Sequence, residues 1–254
     1  MSPEPVPIVA NSVLPANREP VSLRTEDGQT LVGELAQPAD LPALATIICV
    51  HPLPTHDGMM DSYVLRKMAW RLPALAQTAI LRFNTRGTTS AAGTSSGEFD
   101  AAIGEQLDLV AAITFAADRG LPTPWLVGWS FGTDVILKYG ASNPARLRGV
   151  QGAILLSPPL RHATDEELQS WAADQARLVC IIPEFDDYLP AEPARQRFAH
   201  VPQAEIIVIP EGRHLWVGER FVRIVLDAIT AVVVPEKAPL PDTWSGPMTR
   251  WSDL

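Results

Sequence analysis

The sequence predicts an α/β fold: a doubly wound, mostly parallel eight-stranded sheet with helices on both faces, an N-terminal hairpin and a minimal cap. Three observations carry this expectation. From residue 46 onward, short apolar runs alternate with helix-patterned segments, the pattern of parallel strands joined by helical crossovers. Runs such as Thr46-Ile47-Ile48-Cys49-Val50 are continuously apolar, as strands buried on both faces require. Before them, two strand-like runs flank Asp27-Gly28, a dipeptide that favours a tight hairpin turn.

Residues 1–20 are proline-rich and irregular, and are expected to form an arm over the body or a mobile tail. Val21 to Arg24 and Leu31 to Leu35 make the hairpin, and Thr46 to Val50 the first buried strand. Asp61 to Ala76 reads as an amphipathic helix, followed by the strand Ala79 to Phe83 and a loop of small residues, Arg86 to Gly97. Gly104 to Arg119 carries apolar Leu107, Val110, Ala111 and Phe115 at helical spacing. Then come the strand Trp125-Leu126-Val127 and the helix Phe131 to Ala141. Strands are expected at 152–156, 178–182 and 204–209, with helices near 165–172, 191–199 and 218–233. Connections are short and no internal repeat appears, so 21–234 reads as one domain. Residues 235–254, with four prolines and the two tryptophans Trp244 and Trp251, read as an extension that docks on the body or on a second subunit in a homodimer.

Composition narrows the function. Net charge is −9 and no Lys/Arg run occurs, which argues against nucleic acid and against an anionic membrane surface as partners. No apolar stretch approaches the ~18 residues of a membrane span. The first residues lack the basic flank and apolar core of a signal peptide, and both cysteines, Cys49 and Cys180, lie in strand-like apolar runs. They read as small buried hydrophobes, and a cytoplasmic location is expected.

The chemistry centres on Gly128-Trp129-Ser130-Phe131-Gly132, a G-x-S-x-G between a strand and a helix. Placed at random, such a pentapeptide falls in a surface turn; at a strand-to-helix corner it has the layout of a nucleophile elbow. A serine hydroxyl needs a base to take its proton and an acid to orient that base. Loops after strand C-termini gather on one sheet edge, which narrows the search to two segments. Residues 181–190 offer Asp186 and Asp187, and residues 209–215 offer His214. The order Ser130, Asp186 or Asp187, His214 is the order of a catalytic triad on this kind of sheet. His200 at a helix end and His162 in a polar loop need no catalytic role. A metal site from His51, His56 and Asp57 lacks further ligands, so neither metal nor cofactor is expected.

These motifs resemble those of the α/β-hydrolase superfamily, and most closely its small bacterial serine hydrolases of the dienelactone-hydrolase and prolyl-oligopeptidase-like groups. The residues that carry the resemblance are His51-Pro52-Leu53-Pro54, residues 81–87 (Leu-Arg-Phe-Asn-Thr-Arg-Gly), Gly97-Glu98-Phe99-Asp100, Gly104-Glu105-Gln106-Leu107-Asp108 and the elbow. It spans about residues 20–234. It implies Ser130 as nucleophile, His214 as base and, by the spacing from Pro183 to Pro190, Asp186 as the acid. It also implies an oxyanion hole from the backbone N–H groups of Phe131 and Leu53. Many relatives have His-Gly where this chain has His51-Pro52, and proline has no N–H, which moves the second donor to Leu53 or beyond. Asn84, Arg86, Glu105 and Asp108 match the family and read as loop braces.

The expected activity is hydrolysis of a carboxylic ester or related acyl bond of a small-molecule substrate through an acyl-enzyme. Thioesterase, acyltransferase, peptidase and a non-catalytic binding protein are the alternatives. Trp129, Met59, Trp216 and Tyr188 fall on or near the active-edge loops and are the candidate substrate-binding side chains.

Overall fold

The computed structural model describes residues 4–142, 145 and 148–253. Eight strands form the central sheet: β1 Asn17–Arg24, β2 Thr30–Gln37, β3 Ala45–Val50, β4 Thr78–Phe83, β5 Pro124–Trp129, β6 Gly152–Leu156, β7 Arg177–Phe185 and β8 Ala204–Arg213. Their spatial order is β1-β2-β4-β3-β5-β6-β7-β8. β2 runs antiparallel to both its neighbours, and the strands from β4 to β8 are mutually parallel.

Alternation along the strands splits the core into two layers. Ile47 and Cys49 of β3 face one layer with Val64, Leu65 and Met68 of α1 (Tyr63–Leu75) and Val222, Leu226 and Ile229 of α6 (Glu219–Val233). Ile48 and Val50 face the other, with side chains from α2 (Glu105–Asp118), α3 (Phe131–Tyr139), α4 (Asp165–Asp174) and α5 (Ala191–Phe198). Every residue of β3, β4, β5 and β6 is buried, which is why these strands are largely apolar; the exception in β4, Arg82, is buried in ion pairs with Glu34 and Asp61. Both cysteines are free and buried in this sheet. Among the described residues no helix is long and apolar enough to cross a membrane.

The larger departures from the expectation lie at the sheet edges and in the loop after β4. β1 starts at Asn17, because it is an edge strand and tolerates Pro20. β8, the opposite edge, runs through Pro210 to Arg213 for the same reason, with a register shift against β7 between Pro183 and Phe185. The loop after β4 folds back on itself as a small hairpin, Thr89–Ser90 with Gly93–Thr94. The two chain ends meet: Val6–Pro7 pairs with Thr243–Trp244 and Ser12–Val13 with Thr249–Arg250. Trp251 closes this clasp over Trp70, with the Arg66 guanidinium 4.9 Å from the centre of each ring. The C-terminal extension thus docks on the chain's own body.

Candidate active site

Ser130 joins β5 to α3 with φ +52° and ψ −118°. A non-glycine residue there stores of the order of 1–3 kcal/mol, tolerable only where the surroundings over-determine the backbone. Here they do. The Ser130 N–H donates to the Leu156 carbonyl at 2.9 Å, and the Ser130 carbonyl accepts from the Thr133 N–H at 2.8 Å and its hydroxyl at 2.6 Å. The flanking glycines answer a different need from the one their turn chemistry suggests. A Cβ on Gly132 would lie 2.2 Å from the Val50 carbonyl oxygen, and one on Gly128 2.6 Å from the Gly132 carbonyl oxygen. The strained residue is the serine itself, and the glycines allow strand and helix to close on it.

His214 directly follows β8. Its Nε2 stands 2.9 Å from Ser130 Oγ, and its Nδ1 lies 3.0 Å and 3.2 Å from the two carboxylate oxygens of Asp186. Asp186 directly follows β7, and its Oδ1 also accepts the N–H groups of Tyr188 at 2.8 Å and Leu189 at 3.1 Å. An oxygen pair that only accepts requires the hydrogen to sit on Nδ1, which leaves the Nε2 lone pair facing the serine hydroxyl. The His214 carbonyl is held by the Trp129 indole N–H at 3.2 Å and the Ser157 hydroxyl at 3.1 Å. The Tyr188 ring packs edge-on against the imidazole at 4.4 Å. Asp187 points out to solvent.

The loop after β3 supplies the third wall. His51 is completely buried. Its Nε2 accepts the Thr85 N–H at 3.0 Å, so its Nδ1–H donates to the Pro52 carbonyl at 2.7 Å. Burial pushes this imidazole down to about 4, against the pull of that carbonyl. Both ring nitrogens are engaged, so His51 has no lone pair for a metal, and among the described residues no group of three His, Cys, Asp or Glu is placed to hold one. The Leu53 carbonyl accepts from the N–H groups of His56 and Gly58, each at 3.0 Å. The Leu53 N–H has no protein acceptor among the described residues. The Phe131 N–H is the first of α3, one of the four at a helix start without an intrahelical carbonyl. Both residues line the cleft beside Ser130.

Asn84, Arg86, Glu105 and Asp108 brace these loops. Asn84 Oδ1 accepts the Met60 N–H at 2.9 Å. Asp108 accepts the Arg86 backbone N–H at 2.8 Å and two of its guanidinium nitrogens at 3.1 Å and 2.9 Å. Glu105 accepts the Asp100 N–H at 2.9 Å. Burial raises the Asp108 carboxyl despite Arg86, so this brace serves geometry more than it adds stability.

The cleft over Ser130 encloses about 160 Å³, walled by Leu53, Phe131, Pro159, Arg161, Tyr188 and Leu215. Of the four side chains expected to contact substrate, Tyr188 lines it. Trp129 and Trp216 do not: both are buried in the α1/α6 layer, Trp129 turned there by the alternation of β5 and Trp216 by the turn that follows β8. Met59 lines a separate hollow beside Arg66, Trp70 and Trp251. Sequence reasoning missed Asp134, Arg161 and Leu215. The rule that loops after strand C-termini face ligands would have singled out Arg161, five residues past β6.

No protein-family model matches the sequence, and no curated protein sequence matches it. Solved structures do. A serine hydrolase of Xanthomonas campestris described as lacking a lid, XC6422, is 24% identical with a TM-score of 0.67, covering 89% of this chain and 98% of its own. A serine hydrolase homologue from Coxiella burnetii is 22% identical at 0.70, covering 84% and 96%. The Pyrococcus furiosus esterase Pf2001 is 19% identical at 0.66, covering 87% and 92%. The fold is that of the α/β-hydrolases.

Proposed function

On this α/β-hydrolase fold, we propose that the chain is a serine hydrolase that cleaves carboxylic esters through a Ser130-His214-Asp186 triad and an acyl-enzyme. The observation that supports this best is the unbroken relay from Ser130 Oγ through the imidazole to Asp186, at 2.9 Å and 3.0 Å. Nε2 takes the hydroxyl proton as Oγ attacks the carbonyl carbon. The negative charge that forms on the carbonyl oxygen falls to the Phe131 and Leu53 N–H groups, preorganised donors of a kind that lower such barriers most. The imidazolium, oriented and stabilised by Asp186, then gives its proton to the departing alkoxide as the ester C–O bond breaks. Water, deprotonated by the same nitrogen, attacks the acyl-enzyme and restores Ser130.

The dimensions favour a small acyl group. A cavity of roughly 150 Å³ holds one benzene molecule, so the enclosed part of this cleft suits a short acyl chain. The segment between β6 and β7 contributes only α4, of ten residues, too little for a large cap over the cleft. Labelling with a fluorophosphonate probe, wild type against Ser130→Ala, tests the reading together with turnover of p-nitrophenyl acetate and butyrate. Labelling and turnover that vanish in the variant are expected. Labelling without ester turnover would point to a thioesterase, acyltransferase or peptidase, and a folded wild type that does not label would exclude the hydrolase.

A further inference from the structure

One charged group of the cleft has no part in this mechanism. Arg161 lines the cleft together with Ser130 and His214. Its guanidinium carbon sits 4.6 Å from the centre of the Tyr188 ring, and that ring lies 4.4 Å from the centre of the His214 imidazole. The cation therefore stands within the sum of those two spacings of the base. Among the described residues no carboxylate pairs with it.

The backbone that carries Arg161 is fixed to the nucleophile's own helix. Asp134, in the first turn of α3 and buried, accepts the N–H of Arg161 at 3.4 Å and that of Ala163 at 3.2 Å. Lys138, one turn further along α3, donates to the His162 carbonyl at 3.4 Å. Leu160 is held at φ +51° just before the arginine, a conformation that persists where its surroundings dictate it. The Asp134 carboxylate faces the N–H groups of this loop rather than the Arg161 guanidinium, and the other titratable side chains that line the cleft beside Arg161 are His56, His162, Tyr188 and His214. None of these carries negative charge.

A neutral substrate that covered Arg161 would strip water from an unpaired cation. A carboxylate there would meet the planar fork with two parallel hydrogen bonds. We propose that the site is specific for short esters bearing a carboxylate on the acyl or the alcohol side, a few bonds from the scissile carbonyl, with Arg161 as the anchoring residue. The proposal rests on the hydrolase reading above, and the reaction is the same: water supplies hydroxyl to the acyl carbon and a proton to the alcohol.

The test compares matched methyl and acetate esters on the full chain by pH-stat. Monomethyl glutarate against methyl pentanoate probes the acyl side, and 3-acetoxypropanoate against propyl acetate the alcohol side. In at least one pair kcat/KM should favour the anion by about tenfold or more, the size of a charge-assisted hydrogen bond, and the responding pair identifies the side. Arg161→Gln should bring that ratio near one, chiefly through a higher KM, and Arg161→Lys should restore part of it. Fluorophosphonate labelling of both variants checks that the nucleophile is intact. Neutral esters turned over with no preference for the anion, or a preference that survives Arg161→Gln, overturns the proposal and leaves the hydrolase standing. Neither labelling nor turnover of any of the four esters removes both.

Discussion

The fully buried His51 makes the fold acid-sensitive in a way that can be isolated. The folded chain holds this imidazole neutral, pushed from 6.5 down to about 4 by burial, while the unfolded chain titrates at the ordinary value. Between those values the unfolded state binds a proton that the folded state does not. The stabilisation is therefore complete above pH 6.5 and is lost as pH falls toward 4. At about 1.36 kcal/mol per pH unit, the gap amounts to roughly 3 kcal/mol, of which most is lost by pH ~4.5. The comparison is wild type against His51→Gln, whose amide can still accept from Thr85 and donate to Pro52 without titrating. Urea unfolding followed by tryptophan fluorescence, between pH ~7.5 and ~4.5, gives the stability of each. Asp108 and Asp134, whose carboxyls burial raises, are common to both proteins and cancel in the difference. Wild type should lose about 2–3 kcal/mol more than the variant across that window. Parallel curves would mean that the ring is not held neutral in the folded chain, against its burial.

Two further outcomes bear on the active site. Asp186→Asn should slow p-nitrophenyl ester turnover by roughly 10⁴-fold, because an amide that donates to Nδ1 favours the wrong tautomer. Asp187→Asn, at an exposed position, should stay within about twofold, and the reverse ranking would exchange their roles. Leu53→Pro removes one backbone donor where φ is already −56°, an angle that proline adopts. It should cost about 10²–10³ in kcat with urea stability little changed, and an unaffected kcat would take Leu53 out of the oxyanion site.

Much of the architecture was legible because it rests on short-range pattern. The unbroken apolar runs at Ile47 and Leu126 fit only strands covered on both faces, and the order of strands and helices then restricts the topology. Boundaries were harder where an edge relaxes the rule, as Pro20 and Pro210 show. The tryptophans were misassigned for a related reason. A large ring near an active-edge loop belongs to the cleft or to the core according to which way one residue faces, and both Trp129 at the end of β5 and Trp216 in the turn after β8 face the core.

Local pattern was enough for the fold class, the strand-to-helix corner at Ser130, and the placement of Asp186 and His214 on loops that leave the same edge of the sheet. Periodicity, turn chemistry and chain order are local properties, and they suffice for that much. The closed fold was needed to show which of two adjacent carboxylates turns toward the imidazole, that the glycines yield space while the serine takes the strain, and that Arg161 lies on the Tyr188 ring beside the cleft with no carboxylate partner among the described residues. Each of these depends on distances between segments far apart in the chain. Such distances follow from how whole layers pack, and packing is a property of the closed core rather than of any one stretch of residues.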